Sequence, residues 1–139
     1  MANGAELERG KQKMESAAAV AVLANYGALI EKNPIVVGVY KAQFRFGEVL
    51  VTFELGLQDY TGADLVISHM TTLPKEKAEQ GFGSQALTRV LNWAAANNLK
   101  TIRAVQVQEE STLFWERSSF VRMPDPNPTN DYIYTHAGQ

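Results

Sequence analysis

The sequence predicts a mixed α/β (α+β) fold, with an antiparallel meander of strands leading into a strand–helix–strand unit. Three observations predict it. Runs rich in β-branched and aromatic residues, joined by short connections, extend from Ile35 to Leu73. Phe82, Ala86, Leu87, Val90, Leu91 and Ala94 then recur at helical spacing and give one apolar face. Short strand-like runs follow that helix. The 139 residues, 45% of them hydrophobic and 20% charged, suit one domain over residues 1–139.

In chain order, residues 1–16 are polar, carry Gly4 and Gly10, and are expected to be flexible or frayed. Ala17 to Ala24 are all apolar, and continuation through Leu29 and Ile30 predicts an N-terminal helix over 17–32. That stretch is interrupted at Asn25 and Gly27, and a membrane span needs about 20 predominantly apolar residues. Glu6, Glu8 and Glu15 among Arg9, Lys11 and Lys13 argue against a signal peptide. A cytoplasmic chain with a packed helix is expected, and the alanine-rich stripe is a candidate surface for a second copy or a partner.

Asn33-Pro34 stops the helix, because the residue before proline avoids the helical region. No strand is expected before Ile35. Strands are expected over Ile35–Tyr40 running on to Phe46, over Val49–Leu57, and over Leu65–Leu73 after the turn residues Thr61 to Asp64. A helix over Gly81–Asn98 ends at Asn97-Asn98. Thr101–Val107 is the next strand, Ser111–Ser118 a short helix, and Phe120–Met123 and Tyr132–His136 the last strands across a proline-punctuated loop.

Composition narrows the chemistry. Without cysteine there is no thiolate nucleophile and no iron–sulfur or cysteine-ligated zinc site. His69 and His136 are the only histidines, too few for an imidazole-rich metal site, so no metal is expected. A formal charge of −2 opposes nucleic-acid binding by bulk charge, and no membrane association is expected.

The informative segment runs from Leu73 to Ser84, where a strand leads through a charged loop to Gly81-Phe82-Gly83 at a helix start. Unpaired amides and the helix dipole make such a start able to hold phosphate, and glycines leave the backbone open to it. A glycine-initiated helix that binds nothing is the alternative. The dinucleotide fingerprint fits poorly. Seven residues, Pro74 to Gln80, separate strand from glycine, and no acid follows until Glu109. A P-loop is excluded, since no Gly-Lys-Ser/Thr follows.

Two segments together resemble the GCN5-related N-acetyltransferase (GNAT) superfamily. Leu73 through Leu87 resembles its acyl-CoA loop, whose pattern is Q/R-x-x-G-x-G/A, and Ser111 to Phe120 (STLFWERSSF) resembles its A-x-x-(F/L)-Y-x-x-x-G-F element. The resemblance covers residues 35–136. It implies a GNAT-like fold: a mixed sheet with an antiparallel N-terminal meander, a central cofactor-binding helix and a C-terminal hairpin. It also implies transfer of an acetyl group from acetyl-CoA to a small-molecule or protein amine by direct attack. Under it, the amides from Gln80 through Gly81, Phe82 and Gly83 to Ser84 hold the coenzyme A pyrophosphate. Leu73 pairs with the pantetheine arm, Ser111 and Trp115 line the cofactor from the later helix, and Thr101–Val107 splays from Leu65–Leu73 to open a slot.

The sequence departs from the pattern at Ala78, where the family has Gln or Arg, at Gln108, where asparagine is frequent, and at Ser119, where glycine is usual. Trp115 stands where many members place a tyrosine that protonates the leaving thiolate, and an indole is only an N–H donor. Ser111, a water, Tyr132 and Tyr134 are the remaining candidates for that acid. His69 lies four residues before Leu73, on the same strand face, and a branch of the family carries a histidine there. Its imidazole suits removal of a proton from an ammonium, with a histidine hydrogen-bonded in the sheet as the alternative. His136 is expected to be solvent-exposed. The carboxylates Glu48, Glu54, Asp59 and Asp64 are candidates to attract an amine, with solvated surface as their alternative. The competing function is a GNAT-like module that has lost transfer chemistry and serves as a binding or structural protein.

Overall fold

A computed structural model describes residues 20–57, 62–78 and 80–136 of the chain. Val20–Val22 are helical and Leu23–Tyr26 form a 3-10 turn. Gly27 then adopts the left-handed conformation at φ 94°, its N–H donating to the Ala24 carbonyl at 3.0 Å, and the helix ends. This glycine also leaves room for Arg89, whose Nη1 stands 2.7 Å from where a Cβ would be. The guanidinium lies 5.0 Å from the centre of the Phe46 ring.

The expected helix over 17–32 is therefore corrected in its second half. Ala28–Lys32 is a strand, β1, antiparallel to β2 (Val39–Phe46) with Ala28 opposite Phe44. Ala28 is buried and Ile30 packs on the core, whereas Leu29 is 71% exposed, a period of two residues instead of 3.6. Val20 and Leu23 are buried in the chain's own core. The rest of the proposed helical partner surface, before residue 20, lies outside the described residues, as does Asp59.

The expectation that the first strand starts at Ile35 is also corrected, since β1 precedes it and β2 starts at Val39. Asn33 Oδ1 accepts the N–H groups of Ile35 and Val36, each at 2.8 Å, which folds Asn33–Gly38 into a turn. Ile35, Val36 and Val37 are consequently exposed at its tip. β3 (Val49–Gly56) and β4 (Leu65–Leu73) complete an antiparallel meander. Val49, Val51, Phe53 and Leu55 of β3 all turn to one face, where Phe53 meets the Phe44 ring edge-on.

Helix α1 (Phe82–Ala96) covers that inner face with Ala86, Leu87, Val90, Trp93 and Ala94, all buried. It ends where Asn98 takes a φ of 60° and Leu99 N–H reaches back to the Ala94 carbonyl. β5 (Thr101–Ala104), a 3-10 turn (Glu109–Ser111), α2 (Thr112–Arg117), β6 (Val121–Arg122) and β7 (Tyr132–Thr135) follow. β5 is parallel to β4, and β7 inserts between β5 and β6, giving a seven-stranded mixed sheet in the order β1-β2-β3-β4-β5-β7-β6.

Candidate functional site

The site begins where β4 and β5 part. Their parallel pairing covers only Leu65–Ile67 against Ile102–Ala104, with the Val105 N–H to the Ile67 carbonyl beyond it at 3.0 Å. From Ser68 to Leu73, β4 pairs with β3 alone. The expected strand over Thr101–Val107 thus stops at Ala104, and the two strands splay.

Two aspartates fix that opening. Asp64 closes one end, its Oδ2 accepting the N–H groups of Lys100 and Thr101 at 2.8 and 3.1 Å. Asp131 ties β5 and the chain just beyond it to the segment entering β7. It is 2% exposed and accepts from the Arg103 Nε (2.9 Å) and Nη2 (2.7 Å), the Gln106 N–H (3.0 Å) and the Thr129 hydroxyl (2.8 Å). Burial pushes its carboxyl up, but the Gln106, Thr129 and Arg103 donors outweigh burial and hold it below the ordinary carboxylate range. Sequence reasoning missed Asp131, whose signal was only an acid closing the polar run after Pro126 and Pro128. Asp64, a candidate amine attractor, is instead a backbone clamp.

A bulge at Ser68 sets the direction of the side chains along the opening. Leu55 pairs with Ile67 but Glu54 pairs with His69, so Ser68 is the extra residue. Uninterrupted alternation from Leu65 and Ile67 would turn His69 into the core. The bulge instead places His69 on the outer face, exposed and opposite Glu54, and turns Met70 inward towards α1. Leu73, half-exposed opposite Leu50, shares the outer face with His69.

On the inner side, the head of α1 adjoins the same stretch of β4. Gly81 is the N-cap at φ 89°, and a Cβ there would meet nothing, so its backbone is open to approach. Gly83 is different. It is buried, and a Cβ would stand 2.7 Å from Met70 Cε and 3.4 Å from Phe114 Cε2, so its missing side chain admits α2 and β4. The Gln80 N–H is occupied by the Lys77 carbonyl at 3.3 Å. Gln85 N–H is the first to close onto Gly81, which leaves the Phe82, Gly83 and Ser84 amides outside the helical ladder. The first turn carries no acid, and the turn before it carries Lys75, Glu76 and Lys77. This arrangement can hold an anion.

The later segment divides. Ser111 is half-buried at the start of α2, while Trp115 is 5% exposed, wedged between Phe114 and Phe120 with ring centres 5.2 and 4.9 Å away. Tyr132 is buried and its hydroxyl donates to Glu116 Oε1 at 3.4 Å. Burial and the Glu116 carboxylate raise its ionisation above the ordinary phenol range. Tyr134 Oη lies 3.3 Å from His136 Nδ1. His136, expected to be exposed, is half-buried against the Tyr134 ring, because its N–H pairs with the Lys100 carbonyl at the end of the sheet.

No protein-family model matches the chain, and no curated protein matches it. Solved structures do. The crystal structure of AtaTR bound with AcCoA is similar over 84% of this chain and 72% of its own, at a TM-score of 0.52 and 14% identity. The AtaT Y144F mutant toxin, bound to the C-terminus of the antitoxin AtaR and acetyl-CoA, covers the same shares at a TM-score of 0.50 and 13% identity. The fold is GNAT-like. Within this GNAT-like fold, β1 and β2 are joined by the short turn at Asn33–Gly38, and the splay lies between β4 and β5. Among the described residues no group of His, Asp and Glu could hold a metal ion, and no helix is long and apolar enough to cross a membrane.

Proposed function

We propose that the chain is an acyl-CoA-dependent N-acetyltransferase that moves an acetyl group from acetyl-CoA to an amine by direct attack. The splay beside the head of α1 carries this reading: it connects an anion-holding helix start on the inner face with an exposed imidazole on the outer one. The similar structures bound with AcCoA support it. Gly81 and the Phe82, Gly83 and Ser84 amides hold the pyrophosphate. The free edge of Ser68–Leu73 takes the pantetheine arm, and His69 takes the proton of the acceptor amine. Tyr132 and Tyr134 are engaged with Glu116 and His136, so the thiolate is protonated by the Ser111 hydroxyl or by water. Lack of a dedicated acid costs about 10²–10⁴-fold in rate.

Acetyl-CoA in excess over its dissociation constant should raise the thermal midpoint, since a ligand that binds only the folded state stabilises it. No shift at millimolar acetyl-CoA would sink the assignment. The burial of Trp115 in place of a tyrosine favours a second reading, a module that binds coenzyme A without transferring from it. That reading predicts the shift with no thiol release on any amine.

A further inference from the structure

β1 forms one edge of the sheet, and its backbone leaves that edge unpaired. The Asn33 N–H donates to the Val39 carbonyl at 2.9 Å, which makes Asn33 and Val39 a hydrogen-bonded pair at the end of the β1–β2 ladder. Such pairs alternate along antiparallel strands, so Leu29 and Glu31 also turn their backbone groups to β2, whereas Ala28, Ile30 and Lys32 turn theirs outwards. Among the described residues nothing pairs with those outward N–H and C=O groups, and β1 ends the strand order. Apolar surface gathers along the same strand. Leu29 is exposed on it, Ile35, Val36 and Val37 stand out on the turn that follows, and Val22 is exposed on the helix that leads in. Charge is unmatched there too. Lys32 has no ion pair among the described residues, and the helix entering β1 ends at Tyr26 with no basic residue in its last turn.

We propose that β1 is a docking edge for a second copy of this chain, paired antiparallel about a two-fold axis at Ile30. Ile30 then lies opposite its own equivalent, Ala28 opposite Lys32, and Leu29 opposite Glu31 of the second copy. Each of the outward-facing pairs exchanges two hydrogen bonds, and no outward amide of the strand is left over. A one-residue slip would set outward amides against inward ones, and a two-residue slip carries Ala28 or Lys32 past the end of the strand. The same register covers the exposed side chains. Leu29 lies beside the stem of the second copy's Glu31, whose charge is met by Lys41 of its own chain. Lys32 comes beside the second copy's Gly27, at the C-terminal end of the entering helix, where a cation is favoured. The turn at Ile35–Val37 comes next to that helix and its exposed Val22. Every contact occurs twice about the axis, which fits a second copy better than an unrelated chain. The edge lies three strands from the splay, so the pairing leaves that opening free and stands independently of the transferase reading.

Sedimentation and amide hydrogen exchange on the full chain test this at roughly 1 and roughly 100 µM, either side of the micromolar dissociation constants found at the weak end of protein interfaces. The mass of two chains is expected at the higher concentration, with the Ala28, Ile30 and Lys32 amides then protected alongside Leu29 and Glu31. Because the chain has no cysteine, cross-linking reads the register. Leu29→Cys mixed with Glu31→Cys should give a disulfide-linked dimer on mild oxidation, and neither variant alone should do so. Ile35→Lys/Val37→Lys, both in the exposed turn, should be monomeric at the higher concentration with the circular dichroism of the wild type. A wild-type monomer at that concentration overturns the proposal, as does a dimer whose three outward amides exchange freely. Protection of those amides in a monomer would assign the edge to another segment of this chain and equally overturns it. So do cross-linking of either cysteine variant alone as strongly as the mixture, and a dimer that persists in Ile35→Lys/Val37→Lys.

Discussion

Asp131 is a buried carboxylate that fixes the path of the chain beyond β5. Asp131→Ala would leave the part-buried Arg103 without its counter-charge and free the Gln106 N–H, at a cost of about 3 kcal/mol in a urea titration. Its folded ionisation lies below the unfolded carboxylate value of about 3.9. The stabilisation is therefore complete above that value and is lost as pH falls through the folded one, where the unfolded chain binds more protons. Thermal midpoints measured from pH 5 downwards should fall more steeply for the wild type than for Asp131→Asn. The two glycines of the loop separate in the same manner. Gly81→Ala forces an L-residue to φ 89° and should cost about 1–2 kcal/mol. Gly83→Ala meets the mobile end of Met70, offset by better helix propensity, and should stay within about 1 kcal/mol of wild type. The sequence pattern presents the glycines as a pair; the left-handed backbone at Gly81 and the packing of Met70 and Phe114 at Gly83 tell them apart.

Among the elements, β4 matters most, and its bounds Leu65–Leu73 were legible from β-branched content and the turn residues before it. The bulge within it was not, because a single extra residue leaves no compositional trace and becomes visible only as a change of partner on β3. Deleting Ser68 should keep His69 outward and Met70 inward while straightening the strand. The expected result is a folded protein by circular dichroism whose thermal midpoint no longer responds to acetyl-CoA. A retained response would show that the opening does not depend on the bulge. β1 was misread for a related reason. Leu29 and Ile30 extend an apolar run at either period, and only pairing with β2 decides, although Gly27 already marked the break. α1 was legible throughout, since fifteen residues of one period leave little ambiguity.

At the scale of the whole molecule, the strand–helix order was legible because every connection after Leu73 carries its own punctuation. The row of ionisable side chains on the outer face was not, because Glu31, Lys41, Glu54 and His69 are separated in sequence and meet only through three antiparallel registers. Ordinary surface charge would look the same in a linear chain. The splay has a further consequence. Between the β1–β4 meander and the β5-β7-β6 block, the strand ladder is only three residue pairs long, where β2 and β3 share eight. Sub-global opening should therefore follow this seam, with the block swinging out while the meander keeps its protection against amide hydrogen exchange. A molecule lodged in the opening would brace both banks, so acetyl-CoA should slow exchange in Ile102–Ala104 and Tyr132–Thr135 more than in β1–β2. The place where the sheet is thinnest would then also be the place where a substrate tightens the whole protein.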